Sequence, residues 1–242
     1  MSGKGLKEHA PGLWTAVSQA DVAVPKFLRK HDFSTRMAVV KLSDGGLFLH
    51  SPIRLDGGLR MELDALGEVR AIVAPNKFHH LFAADCREAY PNAKLYAAPG
   101  LPEKRKDLKF DGLLADEPRI EWRGDLEQQR IQGMPMVNEV AFLHPSSRTL
   151  ILTDLVFNVP EGRPWGLPVV SGLLGVGGGF GPSRLGRLLI RDKQAARASL
   201  GLIMRWDFDR LIMAHGDVVE TGGHQKLRDA FGFILGAASR VQ

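Results

Sequence analysis

The chain has 242 residues, 44% of them hydrophobic and 24% charged, with 32 Lys+Arg against 27 Asp+Glu and a formal net charge of +5. These proportions predict a globular protein with a sizeable core and exclude an intrinsically disordered chain. A disulfide framework and a zinc finger are excluded as well, because Cys86 is the single cysteine.

The first residues, MSGKGLKEHAPGLW, hold no apolar run of signal-peptide length, so no secretion is expected. No segment approaches the roughly 18 consecutive apolar residues of a membrane helix. A soluble protein of the reducing cytoplasm is predicted. The densest basic stretch, residues 103–109 (EKRKDLK), is diluted by acids and lacks stacking aromatics, so no nucleic-acid partner is expected.

Along the chain, residues 35–42 (TRMAVVKL) and 47–50 read as strands joined by the turn Ser43-Asp44-Gly45-Gly46. Asp56 can cap a helix whose Leu59, Leu63 and Leu66 recur at helical spacing, with Gly67 ending it. Residues 69–74 (VRAIVA) are a buried strand stopped by Pro75. From about His79 to Tyr90 a helix is predicted, with Leu81, Phe82, Cys86 and Ala89 on one face, and residues 94–97 form the next strand. Several β segments follow between residues 120 and 152, ending in a hairpin of residues 139–143 and 149–154 around Pro145-Ser146-Ser147-Arg148. The Gly/Pro-rich residues 159–186 predict a lid over the pocket, among the most mobile parts of the chain. Its glycines match neither nucleotide-binding loop, since Arg187-Leu188 stands where Lys-Ser/Thr is required. A helix over residues 192–205, a strand over 210–214 and a helix over 223–238 complete the chain. No composition break divides it, which predicts one domain spanning 1–242.

Four polar positions fall where strands end: His79 and His80 after one, Asp154 after a second, His215 after a third. Loops at carboxyl ends of strands gather ligands, and imidazole with carboxylate suits Zn²⁺, Fe²⁺ or Mn²⁺. Each residue alone has a plain structural reading, a hydrogen-bonding His or a turn-capping Asp; together they predict a metal site. With the hairpin turn centred between Ser146 and Ser147, position 154 faces position 139. Asn138 and Glu139 should therefore lie beside Asp154. His144 should sit roughly 16 Å away, at the surface. His9, His31 and His224 are expected to be exposed, and His50 to stand behind the ligands and orient them.

The order of these elements, with a His-rich turn, then Thr153-Asp154 after a hairpin, then Ala214-His215-Gly216 after a late strand, resembles the metallo-β-lactamase-like hydrolases. It looks most like an uncharacterised branch, on the strings Ala74-Pro75-Asn76-Lys77-Phe78-His79-His80 and Asn138-Glu139-Val140. The likeness covers about residues 13–219. It implies a four-layer αββα sandwich, with two sheets face to face and helices on both outer sides. It also implies that half of the usual two-metal motif is lost. Pro75, Lys77 and Met134 stand where the first metal's ligands belong, and His79 replaces an aspartate of the second.

One divalent metal at most is then expected, bound by His79, His80, Asp154 and His215, with zinc favoured over iron or manganese. If neighbouring side chains point apart, only one of His79 and His80 binds. The resemblance implies a mononuclear hydrolase of a small ester, lactone, amide or phosphate, using a metal-bound hydroxide at Asp154 with assistance from His50, Lys77 or Glu139. His50, Asn76 and Asn138 are the expected supporting residues. A non-catalytic binding protein with a vestigial, metal-free pocket and an iron-binding redox protein are the alternatives. Partners reduce to a small-molecule substrate, with no membrane and a homodimer left open.

Overall fold

The computed structural model describes residues 4–19, 34–160, 175 and 179–236. A hairpin opens the chain: β1 (Lys4–Ala10) and β2 (Leu13–Gln19) turn at Gly12, whose φ of 80° is left-handed. Both strands escape the sequence reading, which placed no element before residue 35. β3 (Ser34–Lys41) and β4 (Leu47–His50) follow as predicted. Helix α1 (Gly57–Leu66) starts where Asp56 accepts the Leu59 N–H at 2.8 Å and ends at Gly67. Then come β5 (Val69–Ala74), α2 (Ala83–Ala89), β6 (Lys94–Ala97), the short α3 (Leu101–Lys104) and β7 (Gly112–Leu113).

Strands β1 to β7 lie in chain order in one sheet, antiparallel as far as β4 and parallel from β4 to β7. A second sheet is built from β8 (Glu127–Arg130), β9 (Val140–His144), β10 (Thr149–Ile151) and β13 (Arg210–Ile212), in the order β13-β10-β9-β8. The β9–β10 pairs, Thr149 with His144, Leu150 with Leu143 and Ile151 with Phe142, have the register expected from the turn centre. A small ribbon pairs β11 (Phe157–Val159) with β12 (Gly179–Gly181). Helices α4 (Arg184–Leu188), α5 (Lys193–Ile203), α6 (Gly223–Ala230) and α7 (Gly232–Leu235) finish the described chain. The predicted last helix thus breaks at Phe231.

Strand alternation divides the core into three layers. Phe48, Val73, Tyr96, Trp122, Phe142, Ile151 and Ile212 fill the space between the sheets, with the Phe48 and Trp122 rings 5.1 Å apart edge to face. Leu47, Leu49 and Ile72 point the other way, onto Leu59 and Leu63 of α1 and Ala83 and Cys86 of α2. On the far side Leu143, Leu150 and Leu211 meet Leu200 and Ile203 of α5, Leu227 of α6 and Ile234 of α7. The result is the expected four-layer αββα sandwich.

Three expectations need correction. Helix α2 begins at Ala83, not His79, and Leu81 is 55% exposed, because the Asn76 carboxamide captures the Phe78 and His79 N–H groups at 2.8 and 2.7 Å and closes a turn first. His144 is buried beneath its own turn, with Ser147 Oγ 2.7 Å from Nδ1 and Ser146 Oγ 3.0 Å from Nε2. His9 and His224 are not free surface residues either: Nε2 of His9 lies 2.9 Å from Thr15 Oγ1, and that of His224 lies 3.0 Å from the Met204 carbonyl. His31 and most of the predicted lid lie outside the described residues. Among the described residues, no helix is long and apolar enough to cross a membrane.

Candidate metal centre

Parallel pairing sets the carboxyl ends of β4 and β5 side by side in one sheet, and those of β10 and β13 in the other. Four loops leave these ends, carrying Ser51, His79, Asp154 and His215. The start of β3 lies at the same end, because β3 runs antiparallel to β4.

Among the described residues, His79, Asp154 and His215 form one group able to hold a metal ion, with one ligand atom from each within 4.8 Å of the others. Nε2 of His79 is 3.3 Å from Asp154 Oδ1, and Nε2 of His215 is 3.4 Å from the same oxygen. A tetrahedral ion with bonds of about 2.0–2.1 Å separates its ligand atoms by about 3.3–3.4 Å. The spacing therefore suits a shared cation, and the donor set of two imidazoles and a carboxylate suits zinc, iron or manganese. Three protein donors leave a tetrahedral site one open position.

Each donor is held from behind. Nδ1 of His79 lies 2.8 Å from Ser51 Oγ, and Nδ1 of His215 lies 2.9 Å from the Ser34 carbonyl. The Asn76 amide, fully buried, donates to Asp154 Oδ2 at 2.7 Å and to Thr153 Oγ1 at 2.9 Å, which turns Oδ1 toward the imidazoles. Arg36 donates to the Met213 carbonyl at 2.5 Å and the Gly216 carbonyl at 2.7 Å, clamping the loop on both sides of His215. Gly216, at φ 86°, is required there: a Cβ would stand 2.1 Å from the Asn158 carbonyl oxygen. The Phe157 ring stacks on His215 with centroids 5.4 Å apart.

Charge reinforces the geometry. Burial opposes ionisation of Asp154, yet the His79 imidazole and the hydrogen bonds from His215 and His79 hold its carboxyl well below the usual range. Burial likewise opposes a proton on His79, but the charge and hydrogen bond of Asp154, with Glu139 behind, raise its affinity for positive charge. His50 is fully buried at the end of β4, and burial with the nearby His79 pushes it down to about 3, so it is neutral.

Other expected residues have different places. His80 is not in the metal group. It is buried facing outward, its Nδ1 2.8 Å from an Arg105 nitrogen, and burial with Lys104 and Arg105 pushes it down to about 4. Its neighbour His79 points inward because the Asn76 turn sends consecutive side chains apart. Glu139 lies beside Asp154 as expected: its carboxyl oxygens accept the Thr153, Asp154 and Leu155 N–H groups at 2.6, 2.7 and 2.9 Å, and burial with the nearby Asp154 pushes it up to about 7. Asn138, at φ 50°, donates to the Pro99 carbonyl at 2.9 Å and so braces the neighbouring loop. Lys77 extends its ammonium to the Pro135 carbonyl at 3.2 Å, and Met134 is packed in the outer core.

Ser51, Ser34 and Arg36 were missed from the sequence. Arg36, a charge set between Thr35 and the apolar run MAVV of its strand, carried a readable signal. Ser34 acts through its carbonyl, and no side-chain pattern announces that.

Solved structures show the same architecture. The chain is similar to the DIM-1 metallo-β-lactamase (TM-score 0.63, 14% identity, covering 95% of this chain and 98% of that one). It is similar to TMB-1 (0.63, 17%, 93% and 96%) and to the metallo-β-lactamase FIM-1 from Pseudomonas aeruginosa in its mono-zinc form (0.63, 10%, 97% and 94%). The fold is that of the metallo-β-lactamases. The chain belongs to the family described as "Domain of unknown function (DUF4336)", whose model matches residues 28–170. No curated protein matches.

Proposed function

We propose that the protein is a mononuclear metal-dependent hydrolase of a small ester, lactone, amide or phosphate, with one divalent cation held by His79, Asp154 and His215. The observation that carries this is the convergence of two imidazole Nε2 atoms on Asp154 Oδ1 at 3.3 and 3.4 Å, while their Nδ1 atoms are engaged behind. A cation held by His79, Asp154 and His215 would supply Lewis acidity and make a bound water more acidic. Zinc is favoured, with iron or manganese the alternatives.

The chain's own residues do the rest. Asn76 keeps Asp154 Oδ1 aimed inward. Arg36 and Gly216 fix the loop of His215. Lys77 leaves the same turn as His79, and its ammonium can exchange the Pro135 carbonyl for an anionic group of the substrate. Glu139 sets the Asp154 loop through three backbone bonds. A single cytoplasmic domain agrees with the lone buried Cys86.

A second reading is a binding protein without turnover. It is supported by Met134, packed in the core, and Lys77, tied to the Pro135 carbonyl, which leave a pocket with few donors beyond the one metal group. Elemental analysis of protein purified without a histidine tag, paired with a screen of nitrophenyl esters, lactones and phosphates, decides between them. About one equivalent of zinc with chelator-sensitive turnover is expected. Metal-free protein without turnover establishes the binding reading, and stoichiometric iron points to redox chemistry.

A further inference from the structure

We propose that Ser51 is a positioning residue that lets His79 carry its proton on either ring nitrogen, and so frees Nε2 to offer a lone pair when a cation is present. This rests on the metal-centre reading above. A cation bound at Nε2 requires the proton on Nδ1. For His215 that choice is made by the backbone, because the Ser34 carbonyl at 2.9 Å can only accept. For His79 the partner is a hydroxyl, Ser51 Oγ at 2.8 Å, which can accept or donate.

The two ligands therefore differ. With no cation present, the Ser51 O–H donates to Nδ1 of His79 while Nε2–H points to Asp154 Oδ1 at 3.3 Å. When a cation takes the place of that proton, the hydroxyl turns and accepts from Nδ1–H, without movement of the ring. A carbonyl behind His79 would forbid the first arrangement, and an apolar residue would support neither. His215 is a preset ligand and His79 a switchable one.

The backbone supports this assignment. Ser51 is 1% exposed and has a φ of 58°, in the left-handed region that L side chains seldom adopt. Its N–H donates to the Val73 carbonyl at 3.0 Å, extending the β4–β5 pairing by one step and fixing the hydroxyl against His79. Glycine would hold that conformation with less strain. The hydroxyl accounts for the serine.

The experiment is a Zn²⁺ titration against a competing chelator for the wild type, Ser51→Ala and Ser51→Gly, with long-range ¹⁵N–¹H spectra of the His79 ring. The glycine variant relieves the backbone, so it keeps the test valid if the alanine variant unfolds. Zinc affinity is expected to fall about 10–100-fold in both variants. In the zinc-loaded wild type Nδ1 should carry a slowly exchanging proton that the variants lose, and in the metal-free wild type Nε2 should carry a proton. Wild-type affinity and unchanged ring spectra in Ser51→Gly overturn the role of Ser51 alone. A wild type that takes up no zinc overturns the metal reading and this inference with it.

Discussion

Glu139 closes the loop of Asp154 from beneath: its carboxylate accepts the Asp154 N–H at 2.7 Å and the N–H groups on either side, Thr153 and Leu155, at 2.6 and 2.9 Å. Both residues are acidic, and they are kept in close company by roles that differ. Asp154 presents Oδ1 to the imidazoles, whereas Glu139 spends its oxygens on backbone donors. Replacing Glu139 by Gln puts an NH₂ against one set of those donors and leaves a buried N–H unpaired. A loss of about 2–4 kcal/mol is expected in urea unfolding, together with weaker zinc binding. A Glu139→Gln variant with wild-type stability would show that the loop is held by other contacts.

The metal group predicts an asymmetry between adjacent histidines. His79→Ala, Asp154→Ala or His215→Ala should abolish retention of zinc through gel filtration, while His80→Ala should keep the ion, because His80 faces Arg105. His144→Ala should also retain zinc, although it opens a cavity under the hairpin turn and lowers the melting temperature. Zinc lost from His80→Ala with the fold intact would place that imidazole in the centre after all.

Arg36 joins the two sheets at the site, from β3 to the carbonyls of Met213 and Gly216. Arg36→Met keeps the apolar stem but removes the charge-assisted bonds. It should cost about 2–3 kcal/mol and lower zinc affinity about tenfold or more by loosening the loop of His215. Equal affinity in the variant would mean that Ser34 and Phe157 suffice to hold the ring.

Much of this fold is legible in the sequence because local chemistry and tertiary context agree. Asp56 and Gly67 bound α1, and the turn centre at Ser146 and Ser147 fixes the β9–β10 register. What stays hidden depends on backbone geometry. The choice between His79 and His80 is made by the Asn76 turn, in which one carboxamide bonds two N–H groups and Asp154 together. Residues 4–19 form strands with little apolar alternation, since β1 gains its place by pairing with β2. The burial of His144 comes from serines folding over the ring, which composition cannot convey.

Cys86 packs between α2 and the first sheet, and burial with the nearby Asp85 pushes its thiol up to about 12. The thiolate is the reactive form, so the native protein should be inert to a disulfide reagent at pH 8 and react fully once unfolded in denaturant. Rapid labelling of native protein would contradict the packing of α2.

The acid sensitivity of the fold should trace to His50. Its Nε2 is buried without a hydrogen-bond partner, and burial holds its folded-state value at about 3, below the ordinary histidine value of about 6.5. The unfolded chain therefore binds a proton that the folded chain refuses. The resulting stability is complete above pH 6.5 and is lost as pH falls from there toward 3, at about 1.4 kcal/mol per pH unit. His80, with its value of about 4, contributes in the same direction over a narrower range. Replacing His50 by Leu removes the larger contribution and also the unpaired nitrogen. Stability at pH 7.5 should then stay within about 1 kcal/mol of the wild type. Between pH 6.5 and 4.5 the variant should lose about 2–3 kcal/mol less than the wild type, read from urea unfolding at each pH. Parallel pH profiles for the two proteins would show that His50 takes its proton in the folded state.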